Sequence, residues 1–202
     1  MTSTEPTPQS AGRPRSKEVR DAILQSTLKL IQERSPADVT IKSIAEEAKV
    51  GRQTIYRWWR SRGEVVLEAL LEISDKHVGR SQTGSPQEAV AQFLVDTVEQ
   101  ARSLRRALAV LMIDAQVDLD FLEYFRSKFV EIRRSALIHV LEGAVGDVAL
   151  TNSEKQFISD MVYGPLWYRL LVDHAPLSRA FADQLTGLVL DWLCWRKTGM
   201  SA

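Results

Sequence analysis

An all-α fold follows from three observations on this chain of 202 residues. Apolar residues recur at spacings of three and four over most of its length, period-two alternation is scarce, and no Asn-Gly or Asp-Gly pair offers a hairpin turn. With 45% apolar residues, 26% charged residues and 26 basic side chains against 26 acidic, the composition is that of a folded chain rather than a disordered one. No run reaches the ~18 apolar residues of a membrane span, and the opening MTSTEPTPQSAGRPRSK lacks the apolar stretch of a secretory signal, so a cytoplasmic location is expected. Cys194, the single cysteine, can form neither an internal disulfide nor a zinc site and is expected as a small buried residue.

Residues 1–15, rich in Pro, Ser, Thr and Gly, read as a flexible arm. A first helix is predicted from about Glu18 to Glu33, with Ile23, Leu24, Thr27, Leu30 and Ile31 on its inner face and Ser35-Pro36 ending it. Thr40 fits the N-cap of a short second helix whose inner face is Ile41, Ile44, Ala45 and Ala48. Val50-Gly51 then turns the chain into a third helix at about 52–59, and two short helices so close form a helix-turn-helix at about 40–59.

Later starts are marked by capping boxes, Ser61-x-x-Glu64, Ser85-Pro86-x-Glu88 and Thr151-x-x-Glu154. The fourth helix carries Val65 to Leu71, and GRSQTGSP at 79–86 marks a seam between a first domain at 16–78 and a larger helical domain at 79–202. The second domain should hold helices at about 86–101, 103–114, 119–142, 152–172 and 178–196, giving about nine in total.

Neutral overall charge conceals an asymmetry: residues 1–63 carry +5 and residues 64–202 carry −5. Arg52, Arg57, Arg60 and Arg62 fall within one stretch that contains no acidic side chain, a pattern suited to a polyanion. On a helix advancing about 100° per residue, Arg52, Gln53, Tyr56 and Arg57 share one arc while Ile55, Trp58 and Trp59 share the other. Arg can engage guanine and Gln adenine bidentately, and the hydroxyls of Thr54 and Tyr56 suit phosphates or base edges. Thr40, Lys42, Arg60 and Arg62, near helix starts, are expected on backbone phosphates.

The segment TIKSIAEEAKVGRQTIYRWWRSRGEVV, preceded by RDAILQSTLKLIQE, resembles the DNA-binding domain of the TetR family of bacterial transcriptional repressors. The pattern V-S-x-x-T-x-Y-x-x-F-x-S-K is met here by Val50, Gly51, Thr54, Tyr56, Trp59, Ser61 and Arg62, with Gly51 in place of a capping Ser and Arg62 in place of Lys. The resemblance implies double-stranded DNA as partner, with Thr40, Arg52, Gln53, Thr54, Tyr56, Arg57 and Arg62 at the contact and Arg52 and Gln53 reading bases. It further implies that the larger domain binds a small-molecule effector and pairs two subunits on a palindromic operator.

The sequence of the larger domain permits both roles. For pairing, the apolar stripes Phe157, Met161 and Leu170 on one helix, and Phe181, Leu185, Leu188, Val189 and Trp192 on the last, are expected at a homodimer interface. For an apolar or aromatic effector, Phe93, Leu108, Met112, Phe121 and Phe125 are candidates together with Trp167 and Tyr168, and Pro165 could kink its helix and open space there. His77, His139 and His174 are isolated, with no metal spacing and no nucleophile elbow, so no catalytic residue, metal or cofactor is expected. The expected function is a homodimeric repressor released from its operator by ligand. Three alternatives stay open: a ligand-dependent activator or corepressor-requiring repressor of the same fold, a helical enzyme with an accessory DNA-binding domain, and a protein-interaction adaptor whose binding to DNA would be weak and sequence-indifferent.

Overall fold

The computed structural model describes residues 13–74, 84–145 and 149–199. The expected arm therefore lies outside the described residues up to 12, as do the expected domain boundary near 78 and His77. Every regular element among the described residues is helical, and the helices form nine rods.

The head comprises α1 (Arg13–Glu33), α2 (Ile41–Glu47), α3 (Arg52–Tyr56) and α4 (Arg62–Ser74). α1 begins at Arg13, so residues 13–15, expected in the arm, are helical. Ile23, Leu24, Leu30 and Ile31 of α1 are buried against Val65, Val66 and Leu70 of α4 in one continuous core, and the buried Thr27 hydroxyl is satisfied by donating to the Ile23 carbonyl at 2.8 Å. Thr40 caps α2 as expected: its hydroxyl accepts from the Ser43 amide at 3.0 Å, and the Ser43 hydroxyl accepts from the Thr40 amide at 2.8 Å.

The turn between α2 and α3 differs in detail from its sequence reading. Lys49, not Gly51, takes the left-handed conformation, at φ 54°, and the Val50 amide reaches back to the Ala45 carbonyl at 2.9 Å. Gly51 is extended and serves as the N-cap of α3 through its carbonyl alone, which accepts from the Thr54 amide at 2.9 Å. α3 is shorter than expected because the chain leaves the helix after Arg57 to bury Trp59 under α4.

The body comprises α5 (Pro86–Ser103), α6 (Arg105–Val117), α7 (Leu119–Phe125), α8 (Glu131–Val145), α9 (Asn152–Val172) and α10 (Arg179–Gly199). A π-helical segment, Arg126–Val130, joins α7 to α8 into one rod, which is the single helix expected there. The capping boxes of Ser85 with Glu88 and Thr151 with Glu154 are complete. That of Ser61 is rearranged: Ser61 accepts from the Glu64 amide, while the Glu64 carboxylate takes the Arg60 amide at 2.8 Å. α5 is packed by α8, α9 and α10, while α6 and α7 lie against α4 and so join body to head.

Three expectations for the body are corrected. α9 runs unbroken through Pro165, which lies on its exposed side, so the proline neither ends the helix nor opens space toward the core. Cys194 is exposed rather than buried, because α10 turns its other face inward. Leu170, Phe181, Leu185 and Val189, expected at a dimer interface, are buried in the chain's own core, since α9 and α10 dock on α5 with that face.

Candidate nucleic-acid interface

α3 displays the division of faces its spacing predicts. Ile55 and Trp59 are buried and Trp58 is half-buried, whereas Arg52, Gln53, Tyr56 and Arg57 are exposed and Thr54 is half-buried. Trp59 anchors the segment: its indole N–H donates to Glu68 on α4, whose other oxygen pairs with Arg20 of α1, which also binds Glu72 at 2.9 Å. The two indoles meet edge to face at 5.6 Å between centroids. The short helix is thus held by a charged network and an aromatic pair on its inner side.

On the outer side the basic groups are left available. The side chains of Arg52, Arg57 and Arg60 have no hydrogen-bond or ion-pair partner among the described residues, so their guanidinium groups can engage an external anion without breaking an internal bond. Lys42 is exposed on α2 with only a loose contact to Glu46 at 3.9 Å, and Thr40 is exposed at the start of the same helix. Arg52, Gln53, Tyr56 and Arg57 therefore share one outward surface, with Thr54 at its margin and Lys42, Thr40 and Arg60 around it.

Arg62 is the correction. Its side chain does not face outward with the others: Nε donates to Asp114 of α6 at 2.9 Å, Nη2 pairs with the same carboxylate, and Nη1 donates to the carbonyls of Val39 at 2.9 Å and Pro36 at 3.3 Å. Both charged side chains are mostly covered, so the pair is a tie between the α1–α2 loop, α4 and α6 rather than a phosphate contact. A second junction lies one residue away. A Cβ at position 63 would sit 2.5 Å from the Phe121 ring, so only glycine lets α7 approach α4 so closely.

The expected effector residues separate into three groups. Leu108, Phe121 and Phe125 are core, with Phe121 wedged at Gly63. Phe93, Met112 and Trp167 are half-buried, the last set edge-on to Phe125 at 6.4 Å. Tyr168 is exposed on the outside of α9, its ring tilted by 42° against that of His174 at 4.4 Å, because the register of α9 turns it away from Leu166 and Leu170. A cleft of about 350 Å³ opens instead where α1 and α4 meet the α5–α6 corner, between Leu28, Ile31, Leu70 and Leu104, and none of the seven expected residues lines it.

Of the expected interface residues, Phe157 and Leu188 are exposed and Met161 and Trp192 half-buried. Tyr168, Leu171, Val172 and Trp195 are exposed too and were not assigned to that face from the sequence.

Two groupings in the body were not expected from the sequence, although Phe121 and Phe125 were each named as effector candidates. Phe121, Phe125 and Phe129 stack at 6.1 and 5.3 Å, and the Arg133 guanidinium closes the row 3.9 Å from the Phe129 centroid. Their spacing of four was a visible signal for one helix face. Arg196, almost fully buried, pins the end of α10 to the start of α9, donating to Glu154 at 2.6 Å and to the Ala149 carbonyl at 2.8 Å. That hydrogen bond and the capping amide of Thr151 lower the Glu154 carboxyl from 4.5 to about 2. Among the described residues no cluster of His, Cys, Asp and Glu could hold a metal, and no helix is long and apolar enough to cross a membrane.

Known proteins share this arrangement. Residues 23–69 match the family model of bacterial regulatory proteins of the tetR family, and residues 80–189 match that of the tetracyclin repressor-like C-terminal domain. The chain is 30% identical over 176 residues to the HTH-type transcriptional regulator YdeS of Bacillus subtilis, covering 86% of this chain and 89% of that one. It is 26% identical over 199 residues to the HTH-type regulator Rv1556 of Mycobacterium tuberculosis, covering 96% of this chain and 95% of that one. The crystal structure of the TetR family regulator SCO0332 superposes with a TM-score of 0.63 at 25% identity, over 87% of this chain and 97% of that one. FadR of Bacillus subtilis, solved in complex with stearoyl-CoA, shares the fold with a TM-score of 0.57 at 15% identity, over 84% of this chain and 96% of that one. The helix-turn-helix head, the helical body and both family models agree: this chain belongs to the TetR family, as a transcriptional regulator with a DNA-binding helix-turn-helix domain rather than an enzyme.

Proposed function

We propose that the protein is a homodimeric repressor that reads a palindromic operator with α3 and is released by a small-molecule effector held in the body. The observation that carries this reading is the outward face of α3, where Arg52, Gln53, Tyr56 and Arg57 stand exposed and the arginines have no internal partner. In a major groove, Arg52 and Gln53 read base edges, and Thr54, Tyr56 and Arg57 complete the contact. Thr40, Lys42 and Arg60 hold the flanking phosphates, and the protein bound at its operator represses by occluding transcription.

Pairing is supported by the outward faces of α9 and α10. Phe157, Tyr168 and Leu171 on α9, with Leu188, Trp192 and Trp195 on α10, present apolar side chains to solvent in helical register. Two copies meeting on these faces form a four-helix contact with two-fold symmetry, and two heads then fall on half-sites about 34 Å apart or a multiple of it. Ligand control is supported by the rigid links between body and head, Arg62 to Asp114 and Phe121 to Gly63, through which a shift of α6 or α7 changes the spacing of the heads.

The test is selection of genomic fragments by the purified protein at moderate salt, with light scattering on the same sample. The expected result is a palindromic motif bound by a dimer. Recovery of sequence-indifferent fragments, or a monomer at micromolar concentration, overturns it.

A further inference from the structure

Three covered arginines of the body are paired with carboxylates, and a fourth, Arg169, lies over the Phe181 ring and donates to the Pro176 carbonyl at 2.9 Å. Arg196 binds Glu154, Arg134 binds Asp160 and Arg105 binds Asp173. Arg133 resembles Arg169 in lacking a carboxylate but its hydrogen bond is more deeply covered. Arg133 is half-buried where α5, α8 and α9 meet, yet no carboxylate pairs with it: Nη2 donates to the neutral Gln100 amide oxygen at 2.8 Å, and its plane lies over Phe129. Burial accordingly lowers its pKa, although an arginine remains charged. Nε and Nη1 have no hydrogen-bond partner, and no fully enclosed side-chain nitrogen among the described residues lacks one, so these two donors face accessible space. Tyr163 donates its hydroxyl to the Arg133 carbonyl at 2.8 Å and, with burial raising its pKa to about 12, stays a neutral donor that cannot serve as counter-ion.

A desolvated cation with an aromatic platform, a neutral amide orienting one nitrogen and two donors open, one on each edge, is a receptor for an anion. We propose that Arg133 is the anion-recognising residue of the effector site, and that the effector is an organic carboxylate with an apolar or aromatic body. This rests on the reading of the body as an effector domain. The carboxylate accepts from Nε on one edge of the guanidinium or from Nη1 on the other, and its apolar part lies toward the half-buried aromatic surface that Trp167 shares with Phe125. The row Phe129, Phe125, Phe121 then connects the occupied site to Gly63 on α4, and the π-helical turn it passes through is the irregular part of that rod.

Of the three arginines at the head–body cleft, Arg105 is bound to Asp173 and the Leu170 carbonyl, Arg106 is exposed and donates to the Gln32 carbonyl, and Arg102 is exposed, so none is a covered cation without a carboxylate.

The experiment is calorimetric titration of the full chain with decanoate and 3-phenylpropanoate, each beside its uncharged primary amide, repeated on Arg133→Gln and Arg133→Lys after their helical melting curves are compared with that of the parent. The expected result is saturable binding of at least one acid, no binding of its amide, a loss of about 10- to 100-fold in Arg133→Gln and a smaller loss in Arg133→Lys. Equal binding of acid and amide, undiminished binding in a folded Arg133→Gln, or no binding of either acid overturns the proposal. Should Arg133→Gln fail to fold, Arg133→Lys and the acid-to-amide comparison decide alone. Operator selection on the same preparation separates the two readings: a protein that selects a palindrome but ignores both acids leaves the repressor reading standing and removes this one.

Discussion

The run from Arg52 to Arg62 and the two arginines of the α8 and α10 ends use one residue type for opposite purposes. In α3, Arg52 and Arg57 remain solvated with nothing to hold them, while Arg62, a few residues on, is sunk between α4, α6 and the α1–α2 loop with every direction of its fork engaged. Charge density in a sequence therefore marks where cations are concentrated but not which of them are free. An arginine is free when no carboxylate from a distant helix reaches it, and Asp114 lies 52 residues from Arg62. In the body the same contrast separates Arg196, closed on Glu154, from Arg133, which no carboxylate meets.

Removing the deepest of these ties should cost most. Arg196→Met is expected to lower unfolding free energy by about 3 kcal/mol, because Glu154 and the Ala149 carbonyl lose their covered partner, and urea denaturation checks it. The same pair gives a pH signature. Glu154 titrates at 4.5 when unfolded and at about 2 when folded, so its contribution is complete above pH 4.5 and disappears as pH falls toward 2. Arg196→Met should flatten the acid limb of a stability curve measured across that window, and an unchanged limb would assign the acid sensitivity elsewhere.

Asp114→Ala comes next, at about 2 kcal/mol, since it strands the covered Arg62 guanidinium. Arg62→Ala should resemble it in the melting curve. By contrast Arg57→Ala should leave stability within about 0.5 kcal/mol while weakening operator binding and reducing the salt slope by about one. If Arg62→Ala and Arg57→Ala proved alike in both measurements, the distinction between tie and contact would fall.

Arg52→Ala and Gln53→Ala sharpen the comparison within the outward face, each expected to cost about 1 to 3 kcal/mol in operator affinity and to relax preference at one base position in a competition assay. Smallest is Lys49→Gly, which relieves a left-handed backbone and should stabilise the head by up to about 1 kcal/mol in thermal melting, with DNA affinity unaltered.

Much of this was legible before any coordinates. Helix starts at Thr40, Ser85 and Thr151 are local chemistry, three residues of side chain and amide, so they are visible as written. The two faces of α3 follow from a fixed rotation per residue, and Ile55 and Trp59 lie inside as their spacing requires. The effector and interface residues were less legible for a physical reason: a helix in the body has apolar side chains on more than one face, and periodicity alone does not say which face meets α5. Hence Phe181, Leu185 and Val189 turned inward, while Tyr168 and Trp195 faced out.

What the sequence by itself determined was helical order, its caps, and the amphipathic recognition segment, all set by interactions spanning four residues or fewer. What only the tertiary structure decided was the fate of individual charges and rings: Arg62 bound to Asp114, Arg196 to Glu154, Phe121 against Gly63, Arg133 with no acid to meet it. Those outcomes depend on which distant helix supplies a carboxylate or a bare Cα, and burial of a charge is stable only where that partner arrives.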